Sequence, residues 1–467
     1  MVTVNSEIFR EYDIRGIATE DLTPEFMEVF GRAVAAYFIQ KGENVVLVGR
    51  DNRLSSDRIR DNLVAGLLAG GCQVVDIGTV ISPLFYYARV LYQINAGVMI
   101  TASHNPSEFN GFKVALGAGT IYGEEIARLS EITVDLAKDA PQYPIAADPG
   151  SIEYRDPSQA YYQMLSDRIK LGPKKLKVAL DCGNGTASLF AEKYLNSLGC
   201  EVFPIFCVSD GNFPNHHPDP VHTANLSFLK ELVLNEEADL GIGFDGDGDR
   251  LGIVDNTGNI IWGDQLMVLY WREILPKYPG TECIVEVKCS QALVEEIKKL
   301  GGKPVFFKTG HSLIKAKMKE IGAVFTGEMS GHMFFADEFF GFDDAFYAAG
   351  RLLRILSNSP ESLAEMMQTV PKYYSTAETR VPCADRDKFK VVEALKNKFK
   401  QTHEVIEVDG ARVLFSEGWG LARASNTQPI IVARCEAKTD EALQKISAEI
   451  KEALLTFPEV GEFEWEY

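Results

Sequence analysis

Aligned against itself, the chain repeats one plan three times. Each copy opens with a β-branched run ending in a polar loop: Val45-Val46-Leu47-Val48-Gly49-Arg50-Asp51, Val178-Ala179-Leu180-Asp181-Cys182-Gly183 and Cys283-Ile284-Val285-Glu286-Val287-Lys288. A helical stretch follows, and Gly71, Gly199 and Gly302 then restart a strand. After a second helical region come third strands over 96–100, 238–244 and 323–326. Strands alternating with helices predict βαβ units, with mixed, largely parallel sheets and right-handed crossovers. The last hundred or so residues break the plan, with strand-like stretches at 377–382, 411–415 and 430–435 and a closing helix that carries Leu443, Ile446, Ile450 and Leu454 on one face. The expected fold is therefore three repeated α/β domains followed by an α+β domain. At 467 residues the chain exceeds one hydrophobic core. Shifts of composition at 140–157, 252–258 and 358–371 set the expected limits at 1–149, 150–253, 254–367 and 368–467.

Charge narrows the partners. With 47 Lys and Arg against 66 Asp and Glu the formal net charge is −19, which repels nucleic acid and anionic membrane surfaces. A phosphorylated small ligand would have to be held by a local cluster of cations, amides or metal. The 8 cysteines are dispersed without a C-x-x-C pair, which reads as reduced thiols rather than a disulfide or zinc framework. Glu7, Arg10 and Glu11 interrupt any signal-peptide core, and no uncharged apolar run approaches a membrane span. The expected location is the cytoplasm.

In α/β sheets, ligands sit beyond the carboxyl ends of the strands. The three third strands end in polar loops of different chemistry: Thr101-Ala102-Ser103-His104-Asn105-Pro106, Asp245-Gly246-Asp247-Gly248-Asp249-Arg250 and Gly327-Glu328-Met329-Ser330-Gly331-His332. Asp245, Asp247 and Asp249 alternate with glycines that let three carboxylates turn to one point, as a hard divalent cation requires. A solvated acidic turn has the same composition. An EF-hand does not fit, because Arg250 stands where Gly belongs and Asn256 where Glu belongs, so Mg²⁺ is the favoured ion. Ser103, bounded by Asn-Pro, reads as a presented hydroxyl or as a turn or helix-cap serine, and His104 beside it as a packing or capping residue. Asn110-Gly111 signals a hairpin turn, which would place Lys113 on a strand near that loop.

The Gly327–His332 loop offers a carboxylate, a hydroxyl and an imidazole suited to vicinal sugar hydroxyls, and Arg423-Ala424-Ser425-Asn426-Thr427-Gln428-Pro429 offers a guanidinium, hydroxyls and an amide that match a phosphate, though a polar surface turn would look alike. No Walker loop is present. Gly183-Asn184-Gly185 is followed by Ser188 where a dinucleotide fingerprint needs Gly, which weakens nucleotide readings.

Together these loops, with Tyr12-Asp13-Ile14-Arg15-Gly16, resemble the α-D-phosphohexomutase family and its phosphomannomutase/phosphoglucomutase branch, in the family's order along nearly the whole chain. The resemblance implies four domains around a central cleft. It implies Ser103 as the phosphoserine, and Asp245, Asp247 and Asp249 as Mg²⁺ ligands alongside the Ser103 phosphate. Glu328 and Ser330 would contact sugar O3 and O4. Arg423, Ser425, Asn426 and Thr427 would hold the phosphate not in transfer. Tyr12, Arg15, His104, Lys113, Arg250, Lys288, His311 and His332 fall where the family gathers substrate contacts, cations and acid/base groups. The Gly-Glu-Met-Ser-Gly-His loop is similar to that of dual-specificity members, and a loop reading O3 and O4 separates glucose from mannose only weakly, since the two differ at C2.

The implied reaction is Mg²⁺-dependent interconversion of hexose 1-phosphate and hexose 6-phosphate, through a phosphoserine and glucose 1,6-bisphosphate or its mannose counterpart, with His332 or Lys113 exchanging the hydroxyl proton. The expected partners are small-molecule sugar phosphates, with no nucleic acid and no membrane, and a monomer or weak oligomer. Three alternatives stay open. Phosphoglucosamine mutase is opposed by Met329. A haloacid-dehalogenase-like phosphatase would use Asp245-x-Asp247 but lacks the following Thr, replaced by Asp249. A sugar-phosphate sensor would show no turnover.

Overall fold

The computed structural model describes residues 2–138, 145–426 and 428–466. They form two compact units, Met1–Trp262 with Ser330–Glu365, and Gly263–Met329 with Met366–Tyr467. All 8 cysteines are free thiols. Among the described residues no helix is long and apolar enough to cross a membrane.

The first unit is built on two mixed sheets. One runs in the order Ile14–Ile17, Phe109–Leu116, Ala96–Ile100, Val45–Arg50, Gln73–Thr79, Ile152–Tyr154. Its last four strands are parallel, as the repeat predicts, whereas Phe109–Leu116 is antiparallel to both its neighbours. The helix Pro24–Gln40 starts at Thr23, whose side chain accepts from the Phe26 amide, with Pro24 in its first turn. Phe26, Phe30, Val34 and Phe38, spaced four apart, form one stripe that is buried in the core of this sheet. Phe30 meets Phe112 of the sheet at 4.7 Å between ring centroids. Each such ring contributes roughly 1.5–3 kcal/mol by leaving water.

The second sheet runs Ile260–Ile261, Leu251–Asp255, Leu240–Phe244, Lys177–Asp181, Glu201–Ile205, parallel over its last three strands and antiparallel beyond. The two sheets thus take in Ile152–Tyr154 and Leu251–Asp255, strands that lie past residue 149 and across residue 253.

The turn expected at Asn110-Gly111 is not a turn. Both residues lie inside the strand Phe109–Leu116. Asn110 is fully buried, with its amide donating to Ser55 and Ser56 Oγ at 2.9 Å. Gly111 is required because a Cβ would lie 2.1 Å from the Ile14 carbonyl of the paired strand. Tertiary partners thus override a local turn signal, and Lys113 still falls on a strand.

The second unit contains the parallel pair Glu282–Glu286 and Lys303–Phe307 of the third repeat. The short strand Phe325–Gly327 lies by it, with Thr326 Oγ1 donating to the Ile284 carbonyl at 2.8 Å. The C-terminal part is an antiparallel sheet, Tyr374–Ser375, Ile430–Ala437, Gly418–Ala424, Ala411–Phe415, Glu404–Ile406, with Thr379–Pro382 also on Ile430–Ala437. The helices Asp385–Phe399 and Asp440–Leu455 pack on it, and Leu443, Ile446, Ile450 and Leu454 are all buried as the stripe predicts. This is the expected α+β module.

Candidate active site

In the first unit the apolar strand Leu240–Phe244 delivers Asp245, Asp247 and Asp249 into a loop that returns as Leu251–Asp255. All three carboxylates have 0% exposure. One oxygen from each lies within 4.8 Å of the others. Gly246 permits the approach of the serine loop, since a Cβ there would sit 2.2 Å from the Ser103 carbonyl.

Among the described residues, Lys113 is the cation bonded within the triad: it extends from Phe109–Leu116 to donate to Asp247 Oδ2 at 2.8 Å and to Asp249 Oδ2. Ser82 and Thr101 hydroxyls also donate to Asp247 Oδ2, at 2.6 and 3.2 Å. Burial pushes the Asp245 carboxyl well up, and the charges of Asp249 and Asp247 add to that. Burial opposes ionisation of Asp247 too, but Lys113 overcomes it and holds that group below the usual carboxylate range. Burial alone would lower Lys113, yet Asp247 and Asp249 keep its ammonium charged well above the ordinary value.

Three carboxylates facing one ammonium leave room for a dication. Asp247 Oδ1 and Asp249 Oδ1 are buried and accept no hydrogen bond among the described residues. A hard, all-oxygen donor set with two such oxygens fits Mg²⁺.

Ser103 follows the strand Ala96–Ile100 and is turned into this cluster, with 2% exposure, rather than toward solvent. Its backbone is left-handed, φ 52°. Its Oγ donates to Asp245 Oδ2 at 2.8 Å and lies 3.0 Å from His104 Nδ1. Burial, followed by the charges of Arg250 and Arg15, holds His104 well below its ordinary value, so the ring is neutral and able to accept. Arg15, on a strand paired with Phe109–Leu116, donates to Asn105 Oδ1 at 2.7 Å and pairs with Asp13 at 2.7 Å. Tyr12 before them is half-buried.

Arg250 and His332 form an isolated antiparallel bridge, and Arg250 Nε donates to His332 Nε2 at 3.0 Å. His332 Nδ1 lies 3.2 Å from Asp343 Oδ2 and 3.7 Å from Asp249 Oδ1. Ser103, His104, Lys113, Arg250, His332 and Arg15 are therefore linked around one acid cluster. Sequence reasoning missed Ser82, Thr101 as a hydrogen-bond donor, and Asp343. Asp343 carries no sequence signal, because a tertiary pairing, the Phe334–Asp343 bridge, brings it to His332.

The second unit holds another group. Lys288 Nζ donates to Glu378 Oε2 at 2.8 Å, and the backbone around Lys288 is fixed by Arg412 Nη1, which donates to the Val287 and Cys289 carbonyls at 2.7 and 2.8 Å. Burial works against the Lys288 charge, but Glu378 and Glu286 keep its pKa above the ordinary value. Glu328 Oε1 accepts the Gly310 amide at 2.8 Å, at the start of the helix His311–Ile321 whose first residue is the buried His311. Arg423 Nε donates to Asp409 Oδ2 at 2.8 Å, and the Thr309 amide reaches the same oxygen at 3.2 Å. Ser425 is buried and its Oγ accepts the Gln428 amide at 3.1 Å, while Asn426 is half-buried. Ser330 is half-buried at the start of the first unit's second segment, and Thr427 lies outside the described residues. The anchors Glu378, Asp409 and Arg412 were not anticipated, since each is an unremarkable charge in sequence.

Four family models match in order: phosphoglucomutase/phosphomannomutase alpha/beta/alpha domains I, II and III over residues 6–139, 159–258 and 262–374, and the C-terminal domain over 378–453. A phosphomannomutase/phosphoglucomutase of Pseudomonas aeruginosa is 44% identical over 97% of this chain and 96% of its own. The chain belongs to the phosphoglucomutase/phosphomannomutase family. Within that family, a phosphoglucomutase of Neisseria gonorrhoeae is 42% identical over 98% of this chain and 99% of its own. The solved structure of a phosphoglucomutase/phosphomannomutase family protein from Burkholderia thailandensis superposes with a TM-score of 0.90 at 38% identity, covering 97% of this chain and 98% of that one.

Proposed function

We propose that this protein is a phosphomannomutase/phosphoglucomutase, which interconverts the 1- and 6-phosphates of mannose and glucose. The observation that carries the reading is a serine hydroxyl bonded at 2.8 Å to one member of a buried aspartate triad whose other members keep oxygens that accept no hydrogen bond among the described residues. The full-length relatives named for this activity support it.

Asp245, Asp247 and Asp249 would hold Mg²⁺ with a phosphate oxygen on Ser103. When bound, that ion supplies the positive charge that neutralises a phosphoryl group in transfer. Ser103 carries the phosphoryl group. A sugar hydroxyl attacks phosphorus, the Oγ–P bond breaks, and the 1,6-bisphosphate formed reorients before it returns its other phosphoryl group to Ser103 Oγ. Lys113, held as ammonium by two aspartates, has no lone pair to offer. His332 Nε2 accepts from Arg250 and so bears one, which makes His332 the base that takes the hydroxyl proton, with Asp343 beside Nδ1 fixing the tautomer. His104 Nδ1 takes the same part for Ser103 Oγ.

In the second unit, Glu328 reads the sugar hydroxyls, and Lys288, His311, Arg423, Ser425, Asn426 and Thr427 hold the phosphate not in transfer. In the first unit, Ser330, Tyr12 and Arg15 are the proposed sugar-phosphate contacts. Sugar phosphates are the partners, and reduced dispersed cysteines support a cytoplasmic location.

The test is turnover of purified protein on glucose 1-phosphate, mannose 1-phosphate and glucosamine 1-phosphate, each with trace hexose 1,6-bisphosphate. Isomerisation of the first two without release of free phosphate is expected. A preference for glucosamine 1-phosphate, net phosphate release, or no turnover would each replace the reading.

A further inference from the structure

Arg53 lies between the strand Val45–Arg50 and the helix Ser56–Ala69, with 3% exposure. Its guanidinium has five N–H donors, and all are committed. Nη2 donates to the carbonyls of Ser103 and Asn105 at 2.9 and 2.6 Å. Nη1 donates to the carbonyls of Pro106 and Phe109 at 2.6 and 3.1 Å. Nε donates to Asp51 Oδ2 at 3.1 Å. Asp51 is itself fixed, since its Oδ1 accepts the Arg53 amide at 3.1 Å and the Ser56 hydroxyl at 2.5 Å. The Phe213 ring covers the guanidinium at 5.2 Å.

These bonds explain a conformation that serine does not adopt by preference. Ser103 has φ 52°, and a non-glycine residue in that region costs roughly 1–3 kcal/mol unless its surroundings over-determine it. Four carbonyl dipoles that converge on one buried point repel one another unless a cation with several donors lies between them, and among side chains a planar guanidinium presents enough donors in a fixed fork. Deprived of that cation, the loop relaxes toward ordinary backbone angles. Ser103 Oγ would then leave its 2.8 Å bond to Asp245 and its 3.0 Å position by His104.

We propose that Arg53 is the positioning residue of the Ser103 nucleophile: it gathers the carbonyls of Ser103, Asn105, Pro106 and Phe109 and thereby imposes the left-handed turn that aims the hydroxyl into the acid cluster. The inference rests on the reading of Ser103 as phosphoryl carrier. Every N–H donor of Arg53 is spent on the loop carbonyls and on Asp51, so its effect falls on the transfer step and not on binding.

The experiment is Arg53→Lys, which keeps the charge but has three donors and no fork. The expected result is a folded protein whose kcat falls about 100-fold, as for a misplacement of about 1 Å, with KM within about twofold. Ser103 should also be phosphorylated more slowly from glucose 1,6-bisphosphate, and hydrogen exchange over residues 101–109 should accelerate. A folded variant with wild-type kcat, or one whose KM rises while kcat holds, overturns the assignment. Should the lysine protein not fold, Asp51→Asn, which loosens only the Nε anchor, is expected to lower kcat about tenfold at constant KM, and unchanged kcat overturns the assignment equally. A wild-type protein without mutase turnover would sink the functional reading alone. The exchange of residues 101–109 would then still decide the role of Arg53.

Discussion

Replacing Lys113 with Met should make the local stability of the acid loop depend on Mg²⁺. The ammonium neutralises Asp247 and Asp249 in a site where both carboxylates have 0% exposure. Met fills a similar volume, so the loss is electrostatic. Removing one partner of a buried ion pair costs about 3–5 kcal/mol, because a charge is left uncompensated. At about 1.4 kcal/mol per decade, that is an opening equilibrium about 10²–10⁴ times larger. A dication bound by the same carboxylates returns RT ln(1 + [L]/Kd), or about 2.7 kcal/mol at one hundred times Kd. The two compact units make one global transition a poor readout, and only Trp262 among the four tryptophans lies in the first unit, so fluorescence would report the wrong part. Peptide-resolved hydrogen exchange over residues 240–255 reads the loop itself. In chelator the variant should exchange about 10²–10⁴ times faster than wild type there, and millimolar Mg²⁺ should recover most of the difference. Exchange that stays at the wild-type rate in chelator, or that Mg²⁺ leaves unmoved, would refute the reasoning that this cluster is an anionic site balanced by one lysine and built for a second cation.

Ser103→Ala should abolish mutase turnover without lowering the melting temperature, and retained wild-type activity would remove the serine from the reaction. Arg423→Ala should raise KM for sugar phosphates by tenfold or more, the loss of about 1.4 kcal/mol or more of phosphate binding, while kcat changes less; an unchanged KM takes Arg423 out of the phosphate site. Burial lifts the Asp344 carboxyl from 3.8 to about 7 despite the donors Tyr347 N–H and Tyr161 O–H, so between those values the folded chain keeps a proton that the unfolded chain has released. Stability therefore falls as pH rises from about 4 to about 7, by at most about 4 kcal/mol, and flattens above. Asp344→Asn keeps an acceptor for both donors and should lose that decline, which urea midpoints at pH 5 and pH 8 would measure; equal declines in the two proteins would refute it.

The sequence by itself determined the parts whose cause is local or periodic. The threefold βαβ plan, the parallel strands at the centre of the first two sheets and the buried stripe Leu443, Ile446, Ile450, Leu454 follow from apolar period and glycine placement, which act wherever the chain runs. Ser103, Asp245, Asp247, Asp249, Arg423 and His332 were legible as candidates because each sits in a polar loop after a strand or in a dense polar motif, and the family resemblance, not local composition, set them apart from ordinary turns. What the tertiary structure alone decided is how those groups are charged and aimed. That Asn110-Gly111 is strand and not turn depends on Ser55, Ser56 and the Ile14 carbonyl of another strand. That Asp343 reaches His332, Ser82 reaches Asp247 and Arg53 reaches the Ser103 carbonyl depends on pairings across 11, 165 and 50 residues. Hydrogen bonds and desolvation depend on distance in space, and no period along the chain encodes them.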